Sequence, residues 1–178
     1  MKVGILASSA LVVAVILGAF ALPDSYVVER SRLVKASPEA VYGMLIDVDE
    51  SAYWAPWRAV DRHMQVAAGE VKKGVGASYV WKSRDHGGGS YTIVKATEPV
   101  RIEAELDLGD AGEVYGTWKL DPVADGVSVQ WRFVGETTGL MGRYFALGLD
   151  AVVGPLFDDA LDRLQLEAER RARVDQAL

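Results

Sequence analysis

The sequence from Pro155 to Arg173, PLFDDALDRLQLEAERRAR, predicts a long amphipathic helix at the C-terminal end of the chain. Aspartates occupy its first turn and arginines its last, so the charges at both ends complement the helix dipole. Pro155 suits the first helical position, where its missing N–H is not needed. Apolar residues recur at steps of three and four and share one face: Phe157, Ala160, Leu161, Leu164 and Ala168. This face needs a partner surface to cover it.

A run of alternating strands upstream is the only partner large enough. The segment from Arg101 to Leu108 alternates apolar and charged residues without a fault, which predicts a strand with one buried and one solvated face. Two further segments repeat the pattern after short turns. The predicted inward residues are Ile102, Ala104, Leu106 and Leu108, then Val114, Gly116, Trp118 and Leu120, then Val127, Val129, Trp131 and Phe133. Because short turns join antiparallel neighbours, we expect an antiparallel sheet.

The beginning of the domain supplies more elements. Tyr26 to Lys35 predicts a first strand, and Ser37-Pro38-Glu39 opens a helix that ends at Asp47 to Glu50. Weaker strand patterns follow from Asp61 to Val66, and clearer ones end at Lys82 and Thr97. The predicted fold is therefore α+β, with a curved antiparallel sheet of about seven strands wrapped around the C-terminal helix.

A second helical pattern precedes that helix, from Leu140 to Val153. Pro155 lacks the N–H that would bond to the carbonyl of Ala151, and its ring clashes with that carbonyl. We therefore expect the chain to break or kink at Gly154-Pro155. The two helical segments would meet there, with the first lying over the mouth of the sheet.

The first 23 residues form a separate unit from the domain at 24–178. Val3 to Leu22 is twenty residues without a charge, which as a helix spans roughly 30 Å, the thickness of a bilayer's hydrocarbon core. This predicts a transmembrane anchor; the alternative is a signal peptide cleaved near Ala21. Lys2 favours a cytoplasmic N-terminus, so the domain would be periplasmic or extracytoplasmic in either case. The small residues Ala10, Ala14 and Gly18 could pair two such helices into a homodimer.

Composition excludes several kinds of chemistry. The chain has 178 residues, no cysteine and a net charge of −6, and an acidic domain without a basic stripe argues against a nucleic-acid partner. The two histidines, His63 and His86, have no metal-ligand spacing, so no metal site is expected. Gly74-x-Gly76 lacks the third glycine of a dinucleotide loop, and no cofactor is expected.

Acid–base candidates are few. Glu136 follows a strand, Asp150 lies in the helix over the sheet, and Tyr115 carries a hydroxyl. A carboxylate held in an apolar pocket has a raised pKa and can act as a general acid or base. The alternative for each carboxylate is a helix cap or an ion pair.

Several stretches resemble the START-like helix-grip superfamily (SRPBCC), and most closely its polyketide cyclase/dehydrase-like branch. They are Glu29-Arg30-Ser31, residues 37–42 (SPEAVY), residues 54–57 (WAPW), residues 74–81 (GVGASYVW), and Met141-Gly142 with Phe145. The resemblance implies a hydrophobic cavity between the sheet and the C-terminal helix, and many members of the branch begin with one membrane span. It assigns no reaction. Arg32 and Lys35 depart from the apolar first strand usual in the branch.

The aromatic residues either fill an ordinary core or line such a cavity, and the resemblance favours the cavity. The predicted lining residues are Trp54, Trp57, Tyr79, Trp81, Tyr91, Leu106, Trp118, Trp131, Phe133, Met141 and Phe145. We expect a membrane-tethered domain that binds a lipid, quinone or polyketide-like molecule. The alternatives are a cyclase or dehydratase that uses a cavity carboxylate or tyrosine, and an interaction module whose core is filled by its own side chains.

Overall fold

A computed structural model describes residues 16–54, 56, 60–61, 63–85, 87–109, 112–137 and 139–175, of which 52–54 are described in their backbone alone. The elements of the domain, in chain order, are β1 (Ser25–Val34), α1 (Pro38–Ile46), α2 (Val48–Trp54), β2 (Gln65–Ala68), β3 (Ser78–Lys82), β4 (Gly88–Thr97), β5 (Arg101–Asp107), β6 (Glu113–Val123), β7 (Gly126–Glu136) and α3 (Gly139–Asp175). This confirms an α+β fold with seven strands and a long C-terminal helix.

The strands form one sheet in the order β1-β7-β6-β5-β4-β3-β2, and every neighbouring pair is antiparallel. Strands β2 to β7 follow one another as hairpins, as their short turns predict. The predicted inward rows of β5, β6 and β7 are all buried, although Leu108, just beyond β5, is only partly so. Alternation in the sequence therefore identified the core face of these strands correctly.

The first strand, β1, lies at one edge of the sheet beside the last strand, β7, and two arginines lie on its inner face. β1 pairs with β7, and α3 packs chiefly along β1. Arg30 and Arg32 share the face of the buried residues Val28 and Val34. Arg32 departs from the usual apolar pattern, yet β1 still turns the face with Val28 and Val34 inward, because the charge of Arg32 is paired with an aspartate of α3.

Three aspartates of α3 receive these arginines. Arg30 bonds to Asp150 at 2.8 Å and to Asp158 at 3.1 Å, and Arg32 bonds to Asp162 at 2.6 Å. Gly154 makes room for the guanidinium group of Arg30, which occupies the position that a Cβ atom at residue 154 would need. The pairs fix the position of α3 along the strand, although half-exposed pairs of this kind contribute little stability.

The prediction that two separate helical segments meet at Gly154-Pro155 was wrong. α3 runs without interruption from Gly139 to Asp175, with Pro155 inside it. Ala151 and Pro155 are both exposed, so the carbonyl that loses its intrahelical donor lies on the solvent side. The same helix buries Gly154 and Phe157 on its other side, and this packing holds the two halves together.

The first helical region also differs from expectation. Ser37 caps α1 as predicted, since its side chain accepts the N–H of Ala40 at 3.2 Å. The chain then enters a second helix, α2, at the place where the sequence predicted that the first helix ends. The weak strand expected from Asp61 begins at Gln65 instead. Both differences concern short segments in which tertiary contacts outweigh local propensity.

Most of the predicted transmembrane segment, residues 3–15, lies outside the described residues. Residues 16–20 are helical and pack against the start of α3, where Arg143 donates to the carbonyl oxygens of Ala19 and Leu22 at 3.4 and 3.0 Å. Ala10 and Ala14 of the predicted dimer stripe are also outside the description, while Gly18 lies against the hydroxyl of Tyr144 in the same chain. Among the described residues, the one helix long and apolar enough to cross a bilayer is α3.

Candidate functional site

A set of aromatic rings, the aromatic ladder, crosses the inner face of the sheet and reaches α3. Its members are Trp81 and Tyr79 on β3, Tyr91 on β4, Trp118 on β6, Trp131 and Phe133 on β7, and Phe157 on α3. All of them are buried. Strand alternation places them on one face of the sheet, and antiparallel pairing brings the rings of neighbouring strands into contact.

Three rings form a stack where the helix meets the sheet. Trp118 and Trp131 are register partners whose centroids lie 4.1 Å apart at an angle of 11°, and Phe157 stacks on Trp131 at 4.1 Å and 15°. Two rings cannot occupy the same face of Trp131 at that distance, so both of its faces are covered. Phe133 meets Trp131 and Phe157 edge-on, at 5.2 and 4.8 Å. Stacked and edge-to-face pairs are both favourable aromatic arrangements.

The other half of the ladder is joined to this stack by a hydrogen bond. Tyr79 stacks on Tyr91 at 5.0 Å, and the hydroxyl of Tyr91 is hydrogen-bonded to the indole N–H of Trp118. The bond passes over β5, whose inner residue between them is the small Ala104. Burial, more than any other cause, raises the pKa of Tyr91 far above its usual value. Its hydroxyl therefore stays protonated and acts as a hydrogen-bond donor or acceptor.

One donor within the ladder is left without a partner. The indole N–H of Trp131 is buried and has no acceptor among the residues that the structure describes. Because buried polar groups are nearly always paired, an unpaired indole N–H points to an acceptor that the described residues do not supply. Both ring faces are covered, so that acceptor must approach in the plane of the ring, which is the direction in which an N–H donates.

Glycines lie beneath two of the rings. A Cβ at Gly89 would collide with the indole of Trp81 and with the backbone oxygen of Asp107. A Cβ at Gly116 would lie 2.7 Å from Cε1 of Phe133. These positions therefore leave room for the rings to lie close to the sheet, where a side chain would lift them away.

The structure gathers most of the predicted lining residues but not all. Tyr79, Trp81, Tyr91, Leu106, Trp118, Trp131 and Phe133 lie together on the inner face. Met141 and Phe145 do not join them, because they are exposed on the opposite face of α3 from Phe157. Trp57 and the side chain of Trp54 fall outside the description. Phe157 was predicted to lie on the packed face of the helix but was not included among the lining residues. Its spacing of three and four residues from other apolar residues was the signal that could have identified it.

None of the three acid–base candidates lies in the interior. Asp150 is exposed and bound to Arg30, and this hydrogen bond, chiefly, lowers its pKa. Tyr115 and Glu136 lie on the outer face of the sheet, where both line a surface depression of about 360 Å³. Among the described residues no charged side chain is buried. The interior therefore offers hydrogen-bond donors and apolar surface, and the described part of it holds no carboxylate for acid–base chemistry.

A groove of about 730 Å³ runs along the C-terminal half of α3. It is lined by Glu50, Leu166, Glu167 and the arginines at 163, 170, 171 and 173. Two of its four arginines are paired with its two glutamates: Arg170 and Arg171 bond to Glu167 at 2.5 and 2.9 Å, and Arg171 also bonds to Glu50 at 2.9 Å. The surface of the groove is mainly apolar, because Leu166 and the aliphatic parts of the long charged side chains form most of it, and the groove shares no residue with the aromatic ladder.

The Glu167 pairs predict a pH dependence of stability. Hydrogen bonds from Arg170 and Arg171 lower the pKa of Glu167 from 4.5 to about 2. Because the pKa of Glu167 is lower in the folded state, its ionised carboxylate stabilises the fold at pH values above the ordinary pKa of 4.5. This contribution is lost as the pH falls through about 2. We expect Glu167→Gln to melt below the wild type at neutral pH, and the difference in melting temperature to shrink between pH 4.5 and 2. A difference that is constant over this range would contradict the assignment.

Groups of three or more metal-ligating side chains do not occur among the described residues. His63 is exposed, and His86 lies outside the description. Nothing in the described part of the ladder is suited to hold a metal ion, because its polar groups are indole and phenol groups.

Comparison with known proteins agrees with this architecture. A family model described as "Polyketide cyclase / dehydrase and lipid transport" matches residues 26–169. No curated protein sequence matches this chain.

Solved structures share the fold at low sequence identity. Protein CV1439 of Chromobacterium violaceum has a TM-score of 0.56 and 18% identity over 80% of this chain and 96% of its own. Protein MLL2253 of Mesorhizobium loti has a TM-score of 0.55 and 16% identity over 78% and 95%. The di-domain ARO/CYC StfQ of the steffimycin biosynthetic pathway has a TM-score of 0.62 and 17% identity over 83% and 52%. At these identities the likeness concerns the fold alone.

Proposed function

The chain belongs to the polyketide cyclase / dehydrase and lipid transport family, and from this premise we propose that it binds a hydrophobic small molecule alongside the aromatic ladder. The ligand class is an apolar molecule with a carbonyl-type oxygen, such as a quinone, an acyl lipid or a polyketide-like ring. The domain holds this molecule at a membrane to which residues 3–22 tether it.

The observation that carries the proposal is the unpaired N–H of Trp131. A buried donor without a partner costs about 1–3 kcal/mol, so a chain that keeps one gains by receiving an acceptor. A carbonyl oxygen of the ligand meets this need. The hydroxyl of Tyr91, kept protonated by burial, supplies a second polar group in the same ladder.

Apolar contact supplies the rest of the affinity. Burying apolar ligand surface stabilises the complex by about 25 cal/mol per Å², and one or two polar groups then orient the molecule. The stack of Trp118, Trp131 and Phe157 is closed on itself, so the ligand lies beside it. Tyr79 and Trp81 on β3 form the end of the ladder that is distant from α3, because β3 is far in the strand order from β1, the strand that packs on α3.

The tether keeps the domain close to the membrane in which its ligand dissolves. A binding domain held at a bilayer meets lipid-soluble molecules at a higher effective concentration than a free domain does. The domain then lies on the periplasmic or extracytoplasmic side, because Lys2 favours retention of the N-terminus in the cytoplasm.

The rival function is an interaction module whose core is filled by its own side chains. The closed stack favours this rival, since its three rings leave no space between them. Mass spectrometry of organic extracts of the full chain, purified from native membranes, separates the two. A co-purifying carbonyl-bearing lipid or quinone at near-stoichiometric amount supports binding, whereas extracts that match those of an unrelated membrane protein overturn it.

Replacing Trp131 with Phe tests the role of the N–H. One lost hydrogen bond of about 0.5–1.5 kcal/mol predicts a decrease in affinity of roughly 2- to 10-fold for the co-purifying molecule. Trp118→Phe is the matched control, because it removes the same ring atoms from the same stack. Trp118 already uses its N–H on Tyr91, so this change lowers stability and leaves ligand occupancy nearly intact. Equal loss of ligand in the two variants would argue against a bond to Trp131.

A further inference from the structure

The N-terminal half of α3 presents a row of apolar residues to the outside. Met141, Phe145, Gly148 and Val152 follow one another at steps of four, three and four, so they share one helix face. Phe145 is 74% exposed, Val152 70% and Met141 63%. Leu140 and Leu147 extend the row sideways. We name this row, from Leu140 to Val152, the outer apolar face.

The charged residues of this half of the helix turn away from that face. Arg143 and Asp150 are the only two in the sequence from Leu140 to Phe157. Arg143 donates to the backbone carbonyls of Ala19 and Leu22, and Asp150 is bound to Arg30 on β1. The outer apolar face therefore carries no charge over about four turns of helix.

The same side of the helix is different in its C-terminal half. Continuing by steps of three and four beyond Val152 leads to Pro155, Asp159, Arg163, Leu166 and Arg170. From Asp159 onward three of the four residues are charged, as is usual for a helix side that faces water. One continuous helix thus exposes an apolar surface at its beginning and a polar surface at its end, and only the first half needs a cover.

The position of the outer apolar face indicates what covers it. The helical residues 16–20, which end the uncharged run from Val3 to Leu22, pack directly against the start of α3. Leu17 and Phe20 are exposed there as well, 64% and 66%. These contacts place the end of the uncharged run beside the same half of α3 that carries the outer apolar face.

We propose that the outer apolar face lies in the headgroup region of the lipid bilayer, as an interfacial contact separate from the tether. The contact takes its location from the proposed tether but does not depend on ligand binding. An interfacial helix buries its apolar side roughly 5–10 Å into the boundary between headgroups and acyl chains. Because the domain is acidic, insertion is driven by apolar burial and not by attraction to anionic lipids.

The helix lies along the bilayer and does not cross it. Its opposite side packs on the sheet, with Gly154 and Phe157 buried and Asp150 held by Arg30. A helix that is bound along one side to a water-soluble sheet can present only its other side to lipid. This distinguishes α3, which is long and apolar enough to cross a bilayer, from residues 3–22, whose uncharged sequence predicts a span.

The absence of native cysteine allows a direct test with single-cysteine variants of the full chain. Phe145→Cys and Val152→Cys carry a bimane label on the outer apolar face. Leu166→Cys is the matched control, because Leu166 is 69% exposed on the same side of the same helix. Each labelled chain is reconstituted into phosphatidylcholine nanodiscs that contain lipids with a nitroxide near the headgroup, and bimane quenching is measured. Circular dichroism melts check that all three variants fold.

The expected result is quenching several-fold stronger at positions 145 and 152 than at 166, with the reverse order for iodide in the water. Equal lipid quenching at all three positions would overturn the proposal. So would protection of 145 and 152 from both quenchers, which indicates cover by the chain's own first residues or by a second copy. Stronger quenching by a nitroxide near the acyl-chain end would also overturn it, because an interfacial helix lies near the headgroups. Ligand extraction from the same variants is scored separately, so failure of lipid contact is distinguishable from failure of ligand binding.

Discussion

Replacing Phe157 with Ala is expected to destabilise the domain by about 3–5 kcal/mol, the range for a fully buried phenylalanine. The ring is not exposed at all, stacks on Trp131 and meets Phe133 edge-on. Its loss removes apolar burial from α3 and leaves a cavity that the rigid indoles cannot fill. At roughly 2–4 °C per kcal/mol, the melting temperature should fall by about 10 °C. Urea denaturation followed by circular dichroism measures the free energy of unfolding.

The same helix provides the control for this prediction. Phe145 is the same residue type twelve positions earlier, but it is exposed on the outer side. Phe145→Ala should change the free energy of unfolding by no more than about 0.5 kcal/mol. A similar loss in both variants would mean that Phe157 does not anchor α3 to the sheet.

Replacing Gly89 with Ala is expected to destabilise the domain by about 1–3 kcal/mol through overcrowding. Its backbone does not adopt a positive φ, so the cost is steric alone. The added Cβ would collide with the backbone oxygen of Asp107 on β5 and lie 2.8 Å from Cη2 of Trp81. Neither group yields easily, because one belongs to the sheet and the other is a buried ring. Urea denaturation followed by circular dichroism measures this loss.

Gly43 in α1 is the matched control, and the same change there should have the opposite sign. A Cβ at Gly43 meets no described atom within 4 Å. Alanine is favoured over glycine within a helix by about 0.5–1 kcal/mol, so Gly43→Ala should raise stability by that amount. If both substitutions destabilise, the space around one of these glycines differs from that described.

Local patterns predicted the elements of this fold well where they were long and regular. The strand from Arg101 alternates without interruption, and its inward residues Ile102, Ala104 and Leu106 are all buried. The predictions failed where the sequence pattern was short, as at α2 and β2. They also failed at Pro155, because the helix continues through the proline. A proline costs about 3 kcal/mol in a helix interior, and the packing of Phe157, Leu161 and their neighbours exceeds that cost.

The candidate site was predictable in its composition and not in its arrangement. Trp118, Trp131 and Phe133 were identified as inward residues from alternation alone. Met141 and Phe145 were grouped with them by resemblance, yet they lie on the outside of α3. Which side of a helix meets the sheet depends on every contact along it, so an apolar row with no packed partner looks the same in sequence as one with a partner.

The sequence by itself determined which residues face the same way, because the repeats of strands and helices are set by backbone geometry within a few residues. Tertiary structure alone decided that β1 lies beside β7 and that Arg30 and Arg32 point inward to the aspartates of α3. It also decided that the N–H of Trp118 bonds to Tyr91, while the N–H of Trp131 has no acceptor among the described residues. These features join residues that are tens of positions apart. Their partners are selected by the packing of the whole chain, in which buried area and hydrogen-bond satisfaction are balanced over the entire core.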